Sequence, residues 1–272
     1  MSTTSNGDHI ADEIRAAWTH GAEDYDLDAG HGLLTPGVED AWISVLAAAL
    51  GEGPKDVLDV GAGTGFLSIP AAKAGHRVTA TDITPAMLER GRERAAHAGV
   101  DITFVEADAM DLPFPDDSFD AVISRHVLWT MTDPRRAFSE WARVTRTGGD
   151  VIWFDGLAKP GSPVNRARNL LSRAAKLVTR PEDHAHSHHY DEELVEHLPF
   201  RGLQSTQPIR DLLAELGAAD VSCRAVPRLQ HAEESVMDLH KRLAAGSIRY
   251  IGRFEVTPTV KATIATSRAS AK

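Results

Sequence analysis

Between residues 55 and 156, short continuous apolar runs alternate with longer stretches whose apolar positions recur at helical spacing. DVLDVGAG, RVTATDI, ITFVEADA, FDAVISRH and DVIWFDG read as buried strands, the first ending in a tight glycine turn. FLSIPAAKAG, PAMLERGRERAAHAG and DPRRAFSEWARVTRTGG read as the helices between them, each stopped by glycine. Strands that alternate with helices join by right-handed crossovers into a mostly parallel sheet, so the fold class is α/β.

The flanks carry different patterns. Residues 1–8 are rich in Ser, Thr, Asn and Gly and read as a frayed tail. Ile10, Ile14, Ala17 and Trp18, then Trp42, Val45, Leu46 and Ala49, mark two helices joined by the loop EDYDLDAGHGLLTPG. Residues 1–50 therefore form an N-terminal helical cap and residues 51–156 the core. After Gly156 a basic helix-prone stretch and a His-rich acidic stretch interrupt the sheet, and residues 157–206 read as a lid or substrate insertion. PIRDLLAELGAADVSCRAV returns to helix, glycine and strand, and RYIGRFEV is a final strand, so residues 207–261 complete the core. Residues 262–272 read as a disordered tail.

The glycine turn is Gly61-Ala62-Gly63-Thr64-Gly65-Phe66. Glycines allow a sharp turn and close approach of a ligand, and the next helix offers unpaired N–H groups. A dinucleotide fingerprint needs a third glycine where Phe66 stands, which argues against NAD or FAD. Asp82 ends the second strand, where a carboxylate can accept both hydroxyls of a ribose. The third strand ends in Asp108-Ala109-Met110, where Asp108 can accept from an adenine amino group, with Ile83 and Met110 on either side of the ring.

Composition narrows the partners. The 272 residues hold 29 Lys plus Arg against 39 Asp plus Glu, a formal charge of −10, which disfavours nucleic acid and anionic membrane. The single cysteine, Cys223, rules out an internal disulfide and a cysteine-rich zinc site. The longest apolar run, WISVLAAAL, is half of the roughly 18 residues of a membrane span, and the N-terminus lacks the basic-then-apolar order of a signal peptide. The expectation is a cytoplasmic monomer or homodimer acting on a small molecule. His184, His186, His188 and His189 sit in a polar stretch without a cysteine partner and read as a solvated lid, with no metal site.

The ordered segments VLDVGAGTG, TATDITPAMLERGR, VEADAMDLPFPDDSFDAVISRHVLW and DPRRAFSEWARVTRTGGDVIWFDG resemble the class I S-adenosylmethionine (SAM)-dependent methyltransferases over about residues 55–156. The nearest branch is that of quinone-biosynthesis and small-molecule methyltransferases. RTGGD replaces the commoner Arg-Pro-Gly-Gly turn. The resemblance implies a Rossmann-like sheet of seven strands, six parallel and one antiparallel, with helices on both faces. It implies SAM as cofactor and S-adenosylhomocysteine (SAH) as product, with Gly61, Gly63 and Gly65 along the methionine moiety. It places Asp82 on the ribose and Asp108 and Ala109 on the adenine edge. Ala62, Thr64, Ile83, Met87, Met110 and Arg125 complete the expected cofactor shell, and Trp18 and Tyr25 fold over it.

Methyl transfer from a sulfonium needs alignment, exclusion of water and, for a protonated nucleophile, a base. His126, at the end of the fourth strand, is placed to be that base or to orient the cofactor. Arg125 pairs with a substrate carboxylate or a lid acid. Trp129 and Tyr190 are candidate substrate-facing aromatics, Trp129 alternatively a core residue. The cofactor motifs do not dictate which sulfonium carbon reacts, so aminocarboxypropyl transfer, cyclisation and non-catalytic SAM binding stand as alternatives.

Overall fold

A computed structural model describes residues 13, 15, 16, 18, 35–158, 197–236 and 247–270. Seven strands, β1 (Asp56–Val60), β2 (Arg77–Asp82), β3 (Ile102–Glu106), β4 (Phe119–Arg125), β5 (Thr145–Ala158), β6 (Ser222–Ala225) and β7 (Ser247–Glu255), form one sheet in the order β3-β2-β1-β4-β5-β7-β6. β7 runs antiparallel to both its neighbours and the other pairs are parallel, which gives six parallel strands and one reversed.

The central strands β1, β4 and β5 carry apolar runs because both their faces are covered. Side chains alternate between two clusters: Leu58, Val122, Val151 and Trp153 point to one face, and Val57, Ala121, Ile123, Ile152 and Phe154 to the other. On the first face lie helices α4 (Pro134–Val144), α5 (Gln207–Glu215) and α7 (Pro258–Ser270), contributing Phe138, Trp141, Leu213 and Ile264. On the second lie α1 (Pro36–Leu50), α2 (Ser68–Lys73) and α6 (Pro227–Val236), contributing Trp42, Leu46, Ala71 and Leu229. Helix α3 (Pro85–Ala98) joins β2 to β3.

Local signals set the helix ends. Thr35 and Asp133 cap α1 and α4 by accepting from the backbone N–H groups of Val38 and Arg136, each just ahead of a proline. Gly99 closes α3 in the left-handed conformation.

Two elements depart from the sequence reading. The expected tail is helical: in α7, Val260 and Ile264 are 1% and 3% exposed against the first-face core, and the Lys261 ammonium donates to the carbonyl of Arg143. A segment rich in Ala, Ser and Thr thus acquires its helix from packing at i, i+4 rather than from composition. Helix α6, unanticipated, carries the connection from β6 to β7 and buries Leu229 and Glu233. Of the expected insertion, residues 159–196 lie outside the described residues, as do Tyr25, Tyr190 and the His184–His189 cluster.

Candidate active site

The carboxyl ends of β1 to β4 open into a cleft with about 820 Å³ of empty space, part of it continuous with solvent. After β1 the chain turns through Gly61, Gly63 and Gly65, with φ of +65°, +55° and +84°. At Gly61 the turn also meets the chain beyond β4: a Cβ there would lie 2.2 Å from Val127 Cγ2. Only glycine meets both demands, and the backbone of Gly61 and Gly63 is left open to the cleft.

Asp82 ends β2 facing the same space. Its Oδ2 accepts from Gly63 N and its Oδ1 from Thr84 N, both at 2.9 Å, which ties the glycine loop to β2 and leaves lone pairs on each oxygen. Burial raises its pKa, opposed by those backbone donors. Ile83 and Met87 continue this wall. Beyond β3, Asp108 caps a turn by accepting from Met110 N at 2.8 Å. Helix α4 fixes that turn from behind, since Trp141 Nε1 donates to Ala109 O and Arg136 Nε to Met110 O. Asp108, Ala109 and Met110 all line the cleft. Trp18 closes it from the N-terminal segment, which is held near β2 by a 3.1 Å bond from Arg15 Nε to Ile83 O.

Three residues expected around the cofactor do not line the cleft. Ala62 and Thr64 are buried behind the loop, where Ala62 N donates to Thr81 O and Thr64 Oγ1 accepts from Arg94, and Gly65 N turns back to Ala62 O. Phe66 is core: it packs edge-on against Trp42 and under the Arg125 guanidinium, 3.8 Å from the ring centroid.

The end of β4 brings Arg125 and His126 to the rim. Arg125 is 8% exposed and its guanidinium pairs with the buried Glu233 of α6, an acid within the core, at 3.3 Å; the lid acid expected as an alternative partner lies outside the described residues. The other oxygen of Glu233 accepts from Arg249 Nε at 2.8 Å. Arg249 in turn reaches His126 Nε2 at 3.1 Å, while His126 Nδ1 lies 3.4 Å from Asp155 Oδ1. A guanidinium has only donors, so Nε2 accepts from it, and the ring proton sits on Nδ1 and donates to Asp155. The nitrogen that a general base would use is therefore committed to Arg249. His126 also has φ +57°, a conformation that a non-glycine residue holds only when its surroundings impose it.

Trp129 is the candidate that falls elsewhere: it lines a second cavity beside the cleft and packs against Trp18 with ring centroids 6.4 Å apart. Asp155, Glu233 and Arg249 were missed by the sequence reading. The signal for Asp155 was present, as a carboxylate ending an apolar strand just ahead of a glycine. Among the described residues no group of three or more His, Cys, Asp and Glu is arranged to hold a metal ion, and no helix is long and apolar enough to cross a membrane.

A glycine loop after one strand and a carboxylate at the end of the next is the arrangement by which parallel sheets hold nucleosides. Comparison with known proteins gives the family. Residues 58–153 match the model of the methyltransferase domain. A demethylmenaquinone methyltransferase of Renibacterium salmoninarum is 31% identical over 220 residues, covering 80% of this chain and 88% of that protein. An uncharacterized protein of Mycobacterium tuberculosis is 44% identical over 142 residues, 52% of this chain, and the chain spans about half (49%) of that relative's length. Among solved structures, phosphoethanolamine N-methyltransferase 2 of Haemonchus contortus, in complex with phosphomonomethylethanolamine and SAH, superposes with a TM-score of 0.62 at 18% identity, covering 91% of this chain and 60% of that one. The chain belongs to the class I SAM-dependent methyltransferases.

Proposed function

We propose that the cleft binds SAM and that the protein transfers its methyl group to a small-molecule acceptor, releasing SAH. The observation that carries this reading is Asp82, held by Gly63 and Thr84 at the cleft wall with lone pairs on both oxygens still available. The shape fits the group: a Cβ at Gly61 has no room, and Phe66 fills the core where a dinucleotide site needs glycine.

Asp82 would hold the ribose hydroxyls, Asp108 the adenine edge between Ile83 and Met110, and the Gly61–Gly63 backbone the methionine moiety, with Trp18 shielding the cleft. When bound, the sulfonium supplies a methyl group already activated for in-line displacement. The chain's own residues then have to align the nucleophile, keep water out and accept any proton released. His126, with its Nε2 accepting from Arg249, serves as a positioning residue between cleft and acceptor rather than as the base.

The test is calorimetric titration of SAH, followed by mass spectrometry after incubation with SAM and a fractionated small-molecule extract. Accumulation of SAH together with a product heavier by one CH₂ supports methyl transfer. Methylthioadenosine above the enzyme-free control would replace it with aminocarboxypropyl chemistry, and failure to bind SAH would remove the cofactor assignment. Relatives named for acceptors as unlike as demethylmenaquinone and phosphoethanolamine leave the acceptor to be read from this chain's own cavities.

A further inference from the structure

A second cavity lies beside the cleft. It holds about 400 Å³ of empty space, part of it open to solvent, over the ends of β5 and β7. Asp155 of β5 pairs in register with Tyr250 of β7, and β5 is the immediate neighbour of β4, which carries the cofactor cleft's rim. Neighbouring strands lie about 4.8 Å apart, so the two spaces stand side by side along one edge of the sheet. The turn Leu128–Thr130 runs between them: Thr130 faces the cleft, Leu128 and Trp129 the cavity.

The walls of the cavity are mainly apolar and aromatic, with Leu128, Trp129, Phe200, Leu203 and Ile209. Among the described lining residues Asp155 is the one carboxylate, with its side chain 10% exposed. Its Oδ1 is taken up by His126 Nδ1 and by Gly156 N at 2.8 Å, and no hydrogen bond is made to Oδ2. A carboxylate oxygen that no protein donor occupies is an acceptor that a ligand X–H entering the cavity can use.

Resting on the methyltransferase reading, we propose that this cavity is the acceptor site, that its substrate class is a compact aromatic ring bearing a phenolic O–H, and that Asp155 Oδ2 is the residue that takes the proton. Largely apolar and aromatic walls around one carboxylate, with Arg201 the one cation among the described lining residues, suit a ring whose polar atom donates to Asp155. As the phenolic oxygen forms its bond to the methyl carbon, the O–H proton passes to Asp155. The C–S bond breaks with its electron pair moving to sulfur, which becomes a neutral thioether, and Asp155 then returns its proton to solvent. Sulfonium and carboxylate charges cancel in the one step.

His126 gains a purpose in this arrangement. Anchored by Arg249, it donates to Oδ1 and fixes the carboxylate so that Oδ2 is the oxygen left for the acceptor. The basicity also suits the task. Burial pushes the Asp155 carboxyl up to about 6, with Arg249 and Arg125 pulling the other way. The charged and titratable groups around it are Arg125 at the end of β4 and His126 just after it, Glu233 of α6, Arg249 and Tyr250 from β7, and Arg201 at the cavity wall. Asp155 is thus ionised at neutral pH and more basic than an ordinary carboxylate.

The test uses 2-naphthol as probe and the full chain. Wild type saturated with SAH should bind 2-naphthol saturably, and with SAM should yield its methyl ether. Asp155→Asn should keep SAH affinity within about twofold and lower kcat/KM for 2-naphthol by about 100-fold, the scale of a lost general base. It should also abolish the wild-type fall in kcat/KM below about pH 6, which a merely structural role would leave in place. Leu203→Trp fills the cavity from its half-buried side without touching His126, and should abolish naphthol binding while SAH still binds. SAH binding by wild type without any naphthol binding, or an Asp155→Asn protein with unchanged turnover and pH profile, overturns the assignment. Absence of SAH binding in wild type overturns the methyltransferase reading itself.

Discussion

Gly61→Ala tests whether the glycine loop is shaped by sterics, as the geometry requires. Two costs add at this position. An alanine held at φ +65° pays roughly 1–2 kcal/mol for the left-handed conformation. Its Cβ would also sit 2.2 Å from Val127 Cγ2 and within 3.3 Å of two further Val127 carbons, an overpacking on the order of 1–3 kcal/mol. Val127 cannot easily retreat, because its carbonyl accepts from both the backbone N–H and the hydroxyl of Thr130. The expected total is about 2–5 kcal/mol of lost stability, with weaker SAH binding because Gly61 lines the cleft.

The two costs separate in a double-mutant cycle with Val127→Ala, read by urea unfolding at fixed pH and by SAH calorimetry. Trimming Val127 relieves the clash but leaves the backbone strain. The double variant should therefore be more stable than the sum of the singles by roughly the overpacking share, about 1–3 kcal/mol. Gly61→Ala within about 0.5 kcal/mol of wild type, or a cycle with no coupling, would refute the reasoning.

Further outcomes follow from the same geometry. Asp82→Ala should weaken SAM binding by roughly 1–3 kcal/mol through loss of charge-assisted bonds to the ribose; unchanged calorimetric affinity would take Asp82 out of the site. Ile264→Ala in α7 should cost about 2–5 kcal/mol in chemical denaturation, whereas a residue in a disordered tail would cost nothing measurable. Burial raises the carboxyl of Asp59 to about 7 and that of Asp155 to about 6, and shifts Asp82 the same way. The folded state then binds more protons than the unfolded one between about pH 4 and 7, so stability should fall as pH rises through that window. Melting temperatures from about pH 5 to 8 should show that decline in the ligand-free protein and a flatter one in Asp59→Asn; a rise with pH in wild type would contradict it.

The central parallel strands β1, β2, β4 and β5 were legible because they are largely covered on both faces and so appear as apolar runs. Leu58, Val122 and Val151 sit in the middle of such runs and at the centre of the core. Helix α7 was not legible, since Val260 and Ile264 are only two anchors in a polar, small-residue segment. Helix α6 was missed for a related reason. Leu229 is its deepest apolar residue, and Glu233, one turn further, is buried as a charge, which breaks the usual equation of buried with apolar.

The lining of the first cleft was readable because its residues come from consecutive strand ends, in chain order, in a geometry that glycine and aspartate announce. The acceptor side has no such order. His126, Asp155, Glu233 and Arg249 come from β4, β5, α6 and β7, and the sheet order that places β7 beside β5 is what makes them neighbours. Position at a strand end located His126 correctly but said nothing of where its ring nitrogens turn. Its left-handed backbone and the opposing demands of a guanidinium and a carboxylate settle that together. Arg249 can only donate, so the imidazole must present its proton to Asp155, and the basic atom nearest an incoming acceptor becomes the carboxylate oxygen rather than the imidazole nitrogen.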